Sequence, residues 1–362
     1  MPAKYEINVP ATSANIGPGY DVMGLSLSLY LTVNVHIDTD TPTDKDAANY
    51  NVTIVYEGEN SSGLSLDPRK NLITDTALYV LACNGSAQFP HPTTVRVNNR
   101  IPLGRGLGSS GAAVVAGVVL ADVVGSLGLS QQRMLDYCLM IERHPDNVAA
   151  ALVGGFIASY IVDEDGHVKK PVGRLSNAER MQREREEKAR AANATVAIPP
   201  ENISQSVRLG CSPKIKTVAI IPHFELATSK ARAVLPKTYA PKDVVFNLQR
   251  LAILTTALGS ETPDPWLIHG AMADKVHQQY RMHLIPGLPE ILATLNPDNT
   301  PGLLGICLSG AGPTILALAV SDFDEIAAKI QAVFDKQPNG GIATEYKLLD
   351  IVSDGATCVQ KN

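Results

Sequence analysis

Residues 102–111 read Pro102-Leu-Gly-Arg-Gly-Leu-Gly-Ser-Ser-Gly111 and lead without a break into the apolar run 112–121. A strand-like segment precedes this glycine-rich loop, and the apolar run predicts a buried helix over residues 110–124. Glycines let the backbone approach a ligand closely, and the unpaired N–H groups at a helix start favour phosphate. The loop therefore predicts an anion-binding site, with an ordinary turn capped by Ser109 as the alternative.

Three well-known phosphate-binding patterns do not fit this loop. Residues 106–111 match GxGxxG, but a dinucleotide site needs an acidic residue about 20 positions downstream, and residues 126–130 contain none. A Walker loop is excluded because no lysine follows the glycines, and a protein kinase is excluded because the HRD and DFG elements are missing. The loop indicates another mode of phosphate binding.

Three further polar stretches accompany the loop, namely residues 9–21, 142–147 (Glu-Arg-His-Pro-Asp-Asn) and 308–314 (Leu-Ser-Gly-Ala-Gly-Pro-Thr). Carboxylates such as Glu142 suit Mg²⁺ beside nucleotide phosphates. His144 has a simpler alternative as a helix-end residue that interacts with the helix dipole. Each stretch taken singly could be an ordinary turn, but together they predict one site where two domains meet.

The order of the segments predicts an α+β protein, and the length of 362 residues favours two domains. Further helix-like segments are 71–83, 131–143, 244–258, 265–280 and 323–334, and the helix over 131–143 should stop before Pro145. Strand-like segments are 29–37 and 50–56, expected to form a hairpin, then 93–97, 217–221, 303–308, 314–320 and 344–349. Residues 179–190 are charged without an apolar stripe, so we expect an exposed insert over 174–210 between domains 1–173 and 211–362.

The composition narrows the function classes. There are 31 Lys and Arg against 36 Asp and Glu, a formal charge of −5, which argues against nucleic acid as a partner. No apolar run is long enough to span a membrane, and no targeting signal is recognisable, so we expect a cytoplasmic protein. The five cysteines are scattered and form no CxxC pair, which argues against a disulfide framework and a zinc site.

Taken together, the motifs resemble those of the GHMP small-molecule kinases. Residues 102–113 are similar to the phosphate-binding loop of that family, and residues 308–314 are similar to its carboxy-terminal glycine motif. Residues 9–21 and 144–147 resemble the homoserine kinase branch, whereas mevalonate kinases open with an Ala-Pro-Gly-Lys type sequence that has no counterpart here. The resemblance implies a two-domain GHMP kinase fold, with a ribosomal-protein-S5-like α/β domain followed by a ferredoxin-like α+β domain, and a homodimer.

The same resemblance implies ATP and Mg²⁺ as cofactors. Asn71 and Leu72 would contact adenine, and Ser110 and Glu142 would hold Mg²⁺. The remaining nucleotide-binding positions lie in the glycine-rich loop and the first turn of its helix, and they are Pro102, Gly104, Gly106, Leu107, Gly108, Ser109 and Ser110. Two positions depart from the usual pattern, since Arg143 stands where glycine is usual and Gly111 where alanine is common.

L-homoserine is the substrate that the resemblance implies, and its hydroxyl would be phosphorylated in a step of threonine biosynthesis. A zwitterion needs a carboxylate for its ammonium, here Asp21, and guanidinium groups for its carboxylate, here Arg232 and Arg281. The hydroxyl would be positioned by residues near the phosphate loop, with Thr228 close by, and these are Asn15, His144, Asp146 and Asn147.

Asn147 stands where mevalonate-type members have an aspartate base, so we hypothesise that the hydroxyl loses its proton late in the transfer. The alternatives are another GHMP kinase that acts on a different alcohol, and a non-catalytic relative that keeps the fold.

Overall fold

The computed structural model describes residues 2–44, 47–58, 63–162, 196–338 and 340–361. Within these ranges the chain forms two β-sheets with helices packed against them, a mixed α+β architecture as the sequence predicts.

The first sheet is built around the long strand β2 (Met23–Ile37). Its other strands are β1 Ala3–Ala14, β3 Val52–Glu57, β4 Thr93–Asn99, β5 Phe156–Ile161, β6 Ser204–Leu209 and β11 Thr357–Lys361. The main path of the sheet runs β11-β1-β2-β4-β3, while β5 pairs with the start of β2 and with β6.

The expected hairpin between segments 29–37 and 50–56 is wrong. β4 lies between β2 and β3, pairing antiparallel with β2 and parallel with β3. A parallel pair needs a crossover connection, and helix α1 (Leu72–Cys83) provides it between β3 and β4. Alternation of apolar residues identified both strands but carried no information on which neighbour each would choose.

Four helices accompany the first sheet: α1, α2 (Ser109–Gly125), α3 (Gln131–Glu142) and α4 (Pro145–Val153). Helix α2 is apolar on most faces because it packs against α1, α3, α4 and the sheet. Helix α3 ends before Pro145 as predicted, and Arg143 adopts the left-handed region with φ of 64°. That backbone conformation explains why glycine is usual at this position.

The second sheet contains β7 Lys216–Pro222, β8 Leu303–Leu308, β9 Ile315–Ala319 and β10 Thr344–Asp350. It is antiparallel, with strand order β10-β7-β9-β8. The helices of this part are α5 Thr228–Ala233, α6 Pro241–Ala257, α7 Pro265–Ala271, α8 Gln278–Arg281, α9 Leu288–Thr294 and α10 Phe323–Asp335.

The single helix expected over 265–280 is divided into α7 and α8. The buried carboxylate of Asp274 accepts hydrogen bonds from the backbone N–H groups of His277 and Gln278 and so caps the start of α8. This break places the side chains of α8 beside the amino-terminal motif.

The expected insert lies partly outside the described residues, because 163–195, including the charged run 179–190, are not described. Residues 204–209 form β6, which pairs with β5, and β11 near the other end of the chain pairs with β1. The first sheet therefore draws strands from both sides of residue 211. The proposed domain limits stay a prediction.

Two further observations concern composition. The five cysteines are all described, and each is a free thiol, as the scattered spacing predicts. Among the described residues, no helix is both long and apolar enough to cross a membrane.

Candidate active site

The four sequence motifs meet at one cavity of about 250 Å³ between the two sheets. Residues of the amino-terminal motif, the glycine-rich loop, the Glu142–Asn147 segment and the carboxy-terminal glycine motif all line it, together with side chains from α5 and α8. The predicted site residues among them are Asn15, Asp21, Gly104, Gly106, Gly108, Ser109, Ser110, Glu142, His144, Asp146, Asn147, Thr228, Arg232 and Arg281.

The glycine-rich loop ends in the N-cap of α2, which is Gly108 with φ of 69°. The alternative of a turn capped by Ser109 is therefore wrong, since Ser109 is the first helical residue. A Cβ atom on Gly108 would lie 1.9 Å from Thr12 Oγ1, so only glycine fits this close approach. Among the described residues, the backbone N–H groups of Ser109, Ser110 and Gly111 have no acceptor. They are free to bind an anion at the positive end of the helix dipole.

The carboxy-terminal glycine motif holds this loop from the other side. Ser309 Oγ lies 2.6 Å from the carbonyl oxygen of Gly106 and 2.8 Å from Ser13 Oγ. The backbone N–H of Gly310 donates to the carbonyl of Ala14. Residues of the amino-terminal and carboxy-terminal motifs together therefore hold the loop in position.

Ser110 and Glu142 meet beside the start of α2, where the hydroxyl of Ser110 donates to the carboxylate of Glu142. Glu142 is the last residue of α3, and its carboxylate also faces His144 Nε2 at 3.5 Å. The hydroxyl and the carboxylate therefore place oxygen atoms that can ligate a metal ion at the edge of the anion site, next to the free backbone N–H groups.

His144 lies between two carboxylates. Its Nδ1 is 2.7 Å from Asp146 Oδ1. Burial lowers the pKa of His144, but Asp146 and Glu142 outweigh it and raise the pKa from 6.5 to about 9. Burial likewise opposes ionisation of Asp146, but His144 and the backbone N–H of Asn147 keep the pKa of Asp146 below its usual value. The pair is therefore an imidazolium and a carboxylate at neutral pH.

This shift predicts a pH-dependent contribution to stability. Because the folded pKa of His144 exceeds its unfolded value, the contribution is complete below about pH 6.5 and is lost as the pH rises through about 9. The free energy of unfolding of the unmodified protein, minus that of His144→Gln, should fall by about 2–3 kcal/mol between pH 6 and pH 10. Urea denaturation of both proteins at the two pH values measures this difference, and a difference that does not change would contradict the protonated state.

Asp21 and Arg232 form a bidentate ion pair, with Arg232 Nη2 at 2.7 Å from Asp21 Oδ1 and Nη1 at 2.9 Å from Oδ2. Nη1 also donates to the hydroxyl of Tyr20 at 2.7 Å. The sequence suggested that Asp21 and Arg232 would bind opposite ends of a ligand, and the structure shows that they also bind each other. Within the described residues, the Nε–H of Arg232 and one Nη2 hydrogen have no acceptor.

Arg281 is almost fully buried, with 2% of its surface exposed. Its Nε donates to the carbonyl of Ala231, and its Nη1 donates to the carbonyl of Gly310 and to Nδ1 of His277. Its Nη2 makes no hydrogen bond within the described ranges, although the side chain lines the cavity. The two arginines thus bring guanidinium N–H groups to the same wall.

Asn15 and Asn147 are held by neighbours rather than left mobile. Asn15, with φ of 75°, donates to the carbonyl of Gly310 and accepts from the backbone N–H of Asp21. Asn147 Oδ1 accepts a hydrogen bond of 2.7 Å from the Thr12 hydroxyl. Its amide nitrogen lies 3.4 Å from Asp146 Oδ1, to which it donates, and its second N–H has no acceptor among the described residues.

Asp21, His144 and Asp146 place potential ligand atoms within 4.8 Å of one another. Arg232 already pairs with Asp21, and His144 carries a proton at neutral pH, so the charges of this group are balanced. A protonated imidazole has no lone pair for a metal. This group therefore does not suit a metal ion.

Comparisons with known proteins agree with the family that the sequence motifs resemble. Residues 71–155 match the family described as GHMP kinases N terminal domain. The chain is 49% identical to homoserine kinase of Schizosaccharomyces pombe, with 98% of each chain covered. It is 50% identical to homoserine kinase of Saccharomyces cerevisiae, with 100% of each chain covered. The chain belongs to the homoserine kinase family.

Solved structures agree with this family at the level of the fold. The crystal structure of homoserine kinase from Cytophaga hutchinsonii matches with a TM-score of 0.72 at 24% identity, covering 98% of this chain and 97% of that chain. Phosphomevalonate kinase from Streptococcus pneumoniae matches with a TM-score of 0.57 at 15% identity, covering 96% and 100%. The GHMP kinase fold expected from the motifs is confirmed.

Four of the residues that the homoserine kinase resemblance suggested do not line the cavity: Asn71, Leu72, Pro102 and Leu107. The amide of Asn71 caps α1 and donates to Tyr56 and to the carbonyl of Ser65. Leu107 is fully buried in the hydrophobic core. The side chain of Leu107 therefore has a structural role. Nucleotide binding by Asn71, Leu72 and Pro102 stays a prediction.

Three residues near the site were missed by the sequence reasoning: Thr12, Tyr20 and His277. Thr12 and Tyr20 lie inside the quoted 9–21 stretch, so a closer reading of that motif could have included them. His277 lies in the segment assigned to a helix, and only the break between α7 and α8 brings it to Arg281. In this homoserine kinase family member, Thr12, Tyr20 and His277 hold predicted site residues in place through hydrogen bonds to Asn147, Arg232 and Arg281.

Proposed function

We propose that the protein transfers the terminal phosphoryl group of ATP to the side-chain hydroxyl of L-homoserine, which forms O-phospho-L-homoserine for threonine synthesis. Membership of the homoserine kinase family supports the reaction. The observation that carries the proposal is the single cavity that joins the anion-binding start of α2 to Asp21, Arg232 and Arg281. A phosphate donor and a zwitterionic acceptor can therefore meet in it.

The nucleotide is proposed to bind with its triphosphate at the start of α2. The N–H groups of Ser109, Ser110 and Gly111, together with those of Gly104 and Gly106, which also have no acceptor among the described residues, provide donors for phosphate oxygens. The resemblance to the GHMP kinases supports placing adenine near Asn71 and Leu72, outside this cavity, and Pro102 among the other nucleotide-binding positions of the loop.

Mg²⁺ fits the oxygen donors beside the triphosphate position. Ser110 Oγ and the carboxylate of Glu142 are already in contact and adjoin the free N–H groups of α2, and Mg²⁺ prefers one or two protein oxygens together with phosphates. When bound there, Mg²⁺ would neutralise charge on the phosphates. Its two protein ligands would be Ser110 and Glu142.

The acceptor is proposed to lie on the other side of the cavity. The carboxylate of homoserine would bind the free N–H groups of Arg232 and Arg281, and its ammonium would lie next to Asp21. Asn15, His144, Asp146 and Thr228 would then surround the hydroxyl between these groups and the phosphate loop. Phosphoryl transfer depends mainly on such alignment and charge neutralisation.

Asn147 tests the role of alignment. Replacement by alanine should lower kcat by about 10- to 100-fold, because the amide donor held by Thr12 would no longer orient the hydroxyl. Steady-state kinetics with L-homoserine measures the effect, and Thr12→Val is the companion variant that removes only the support of the amide. Wild-type turnover in Asn147→Ala would remove Asn147 from the mechanism.

The decisive experiment is ADP release from Mg²⁺ and ATP with L-homoserine, mevalonate, galactose or no acceptor. Release that depends on homoserine alone is the expected result. Release with another alcohol would move the function to a sister GHMP kinase, and silence with every acceptor despite ATP binding would favour a non-catalytic relative. We further propose a cytoplasmic homodimer, which light scattering of the purified protein would test for its oligomeric part.

A further inference from the structure

His277 is buried beside the proposed acceptor site without lining it, and none of its surface is exposed. It precedes α8, and its ring stacks on Tyr20 with 5.4 Å between the ring centroids. Its two nitrogen atoms have different partners. Nε2 lies 2.8 Å from the carbonyl oxygen of Gly17, and Nδ1 lies 3.2 Å from Nη1 of Arg281.

These contacts decide the tautomer. A carbonyl oxygen can only accept, so Nε2 carries the proton and donates to Gly17. Arginine can only donate, so Nδ1 must be unprotonated and accept from Arg281. His277 is therefore neutral, and its burial and the nearby guanidinium lower its pKa despite Asp274 at 3.8 Å. The contacts and the electrostatics agree.

The partners of Arg281 show what this acceptor does. Of the five N–H groups of a guanidinium, one on Nε binds Ala231 and two on Nη1 bind Gly310 and His277. The two hydrogens on Nη2 remain for a ligand. Because three fixed acceptors hold the guanidinium, the direction of the Nη2 group is set before an acceptor molecule arrives.

The chain of contacts also joins two distant motifs. Gly17 belongs to the amino-terminal motif, and Gly310 belongs to the carboxy-terminal glycine motif. The carbonyl of Gly310 accepts from Asn15 as well as from Arg281, so a continuous series of hydrogen bonds runs from Gly17 through His277, Arg281 and Gly310 to Asn15. His277 is the member of this series that only the folded chain reveals.

We propose that His277 is a positioning residue that orients Arg281 toward the carboxylate of the amino-acid substrate. It acts through its unprotonated Nδ1 and does not touch the substrate. The proposal rests on the proposed function, because Arg281 must be the residue that binds the substrate carboxylate.

Two variants distinguish the roles of the two ring nitrogen atoms of His277, because each keeps one of the two hydrogen bonds and removes the other. In His277→Asn the amide oxygen takes the place of Nδ1 and still accepts from Arg281, whereas the donor to Gly17 is lost. In His277→Gln the amide nitrogen takes the place of Nε2 and still donates to Gly17, whereas the acceptor for Arg281 is lost. The positioning role predicts that His277→Gln raises KM for L-homoserine about ten-fold or more, and that His277→Asn stays within about three-fold of the unmodified protein.

The effect should be confined to the acceptor. KM for ATP and kcat should stay within about two-fold in both variants, because the phosphate loop does not contact His277. In an Arg281→Ala background, His277→Gln should raise KM for homoserine no further, because the residue through which it acts is gone. His269→Asn, on α7 outside the cavity lining, is the matched control for loss of a histidine.

A measurement on the unmodified protein keeps the proposal testable if either variant fails to fold. The ¹⁵N chemical shifts of the His277 ring should show a protonated Nε2 and an unprotonated Nδ1. The opposite tautomer, equal effects of the two variants on KM, or an undiminished effect in the Arg281→Ala background would overturn the positioning role. Absence of homoserine-dependent ADP release in the unmodified protein would instead overturn the proposed function.

Discussion

Arg232→Ala is expected to raise KM for L-homoserine by about 10- to 100-fold while KM for ATP changes little. The guanidinium of Arg232 donates to both carboxylate oxygens of Asp21 and still has N–H groups for a ligand carboxylate. Its removal takes away a charge-assisted partner of the substrate. It also leaves Asp21, whose side chain is only 16% exposed, without its cation.

Steady-state kinetics with each substrate varied in turn measures the result, and thermal denaturation shows whether the variant is folded. Arg232→Lys keeps the charge but loses the fork, so its KM should lie between the two proteins. Arg250→Ala, on α6 outside the cavity lining, is the matched control for loss of an arginine. An unchanged KM for homoserine in a folded Arg232→Ala protein would remove Arg232 from the acceptor site.

Gly108→Ala is expected to lower kcat/KM for ATP by about 100- to 1,000-fold. The new Cβ would lie 1.9 Å from Thr12 Oγ1 and 3.0 Å from Asn147 Oδ1. To relieve this overlap, the start of α2 must move, and the free N–H groups at its first turn move with it. The Thr12–Asn147 hydrogen bond would be displaced at the same time.

Gly128→Ala is the matched control for this loop variant. Gly128 has φ of 64°, close to the 69° of Gly108, but no atom lies within 4 Å of its hypothetical Cβ. Both variants therefore share the cost of alanine in the left-handed region, about 1 kcal/mol, and only Gly108→Ala adds the overlap. Equal kinetics of the two variants would show that the close approach at Gly108 does not matter for ATP.

Much of the site could be predicted because its chemistry lies in short contiguous segments. The glycine-rich loop, the 142–147 segment and the two glycine-containing motifs are each recognisable without a fold, and the cavity brings all four together. Helix α2 was predicted within one residue at each end, because apolar residues on every face require burial. Arg232 and Arg281 came from the resemblance to a family, since neither stands in a motif that chemistry alone would single out.

Pairing between segments is where the sequence was insufficient. The strands at 29–37 and 50–56 were identified, but β4 lies between them, because the crossover through α1 returns the chain to pair parallel with β3 and antiparallel with β2. The helix expected over 265–280 is broken by the Asp274 cap, an interaction between a side chain and backbone groups that apolar periodicity does not report.

The phosphate loop, the buried helix behind it, the α+β class and the family could all be predicted from residue order, because each of these is encoded locally. The pairing of Asp21 with Arg232, the contact of Thr12 with Asn147 and the contact of His277 with Arg281 are visible only in the folded chain. These contacts join residues far apart in the chain. Their partners depend on how the two sheets pack against each other, which no single segment specifies.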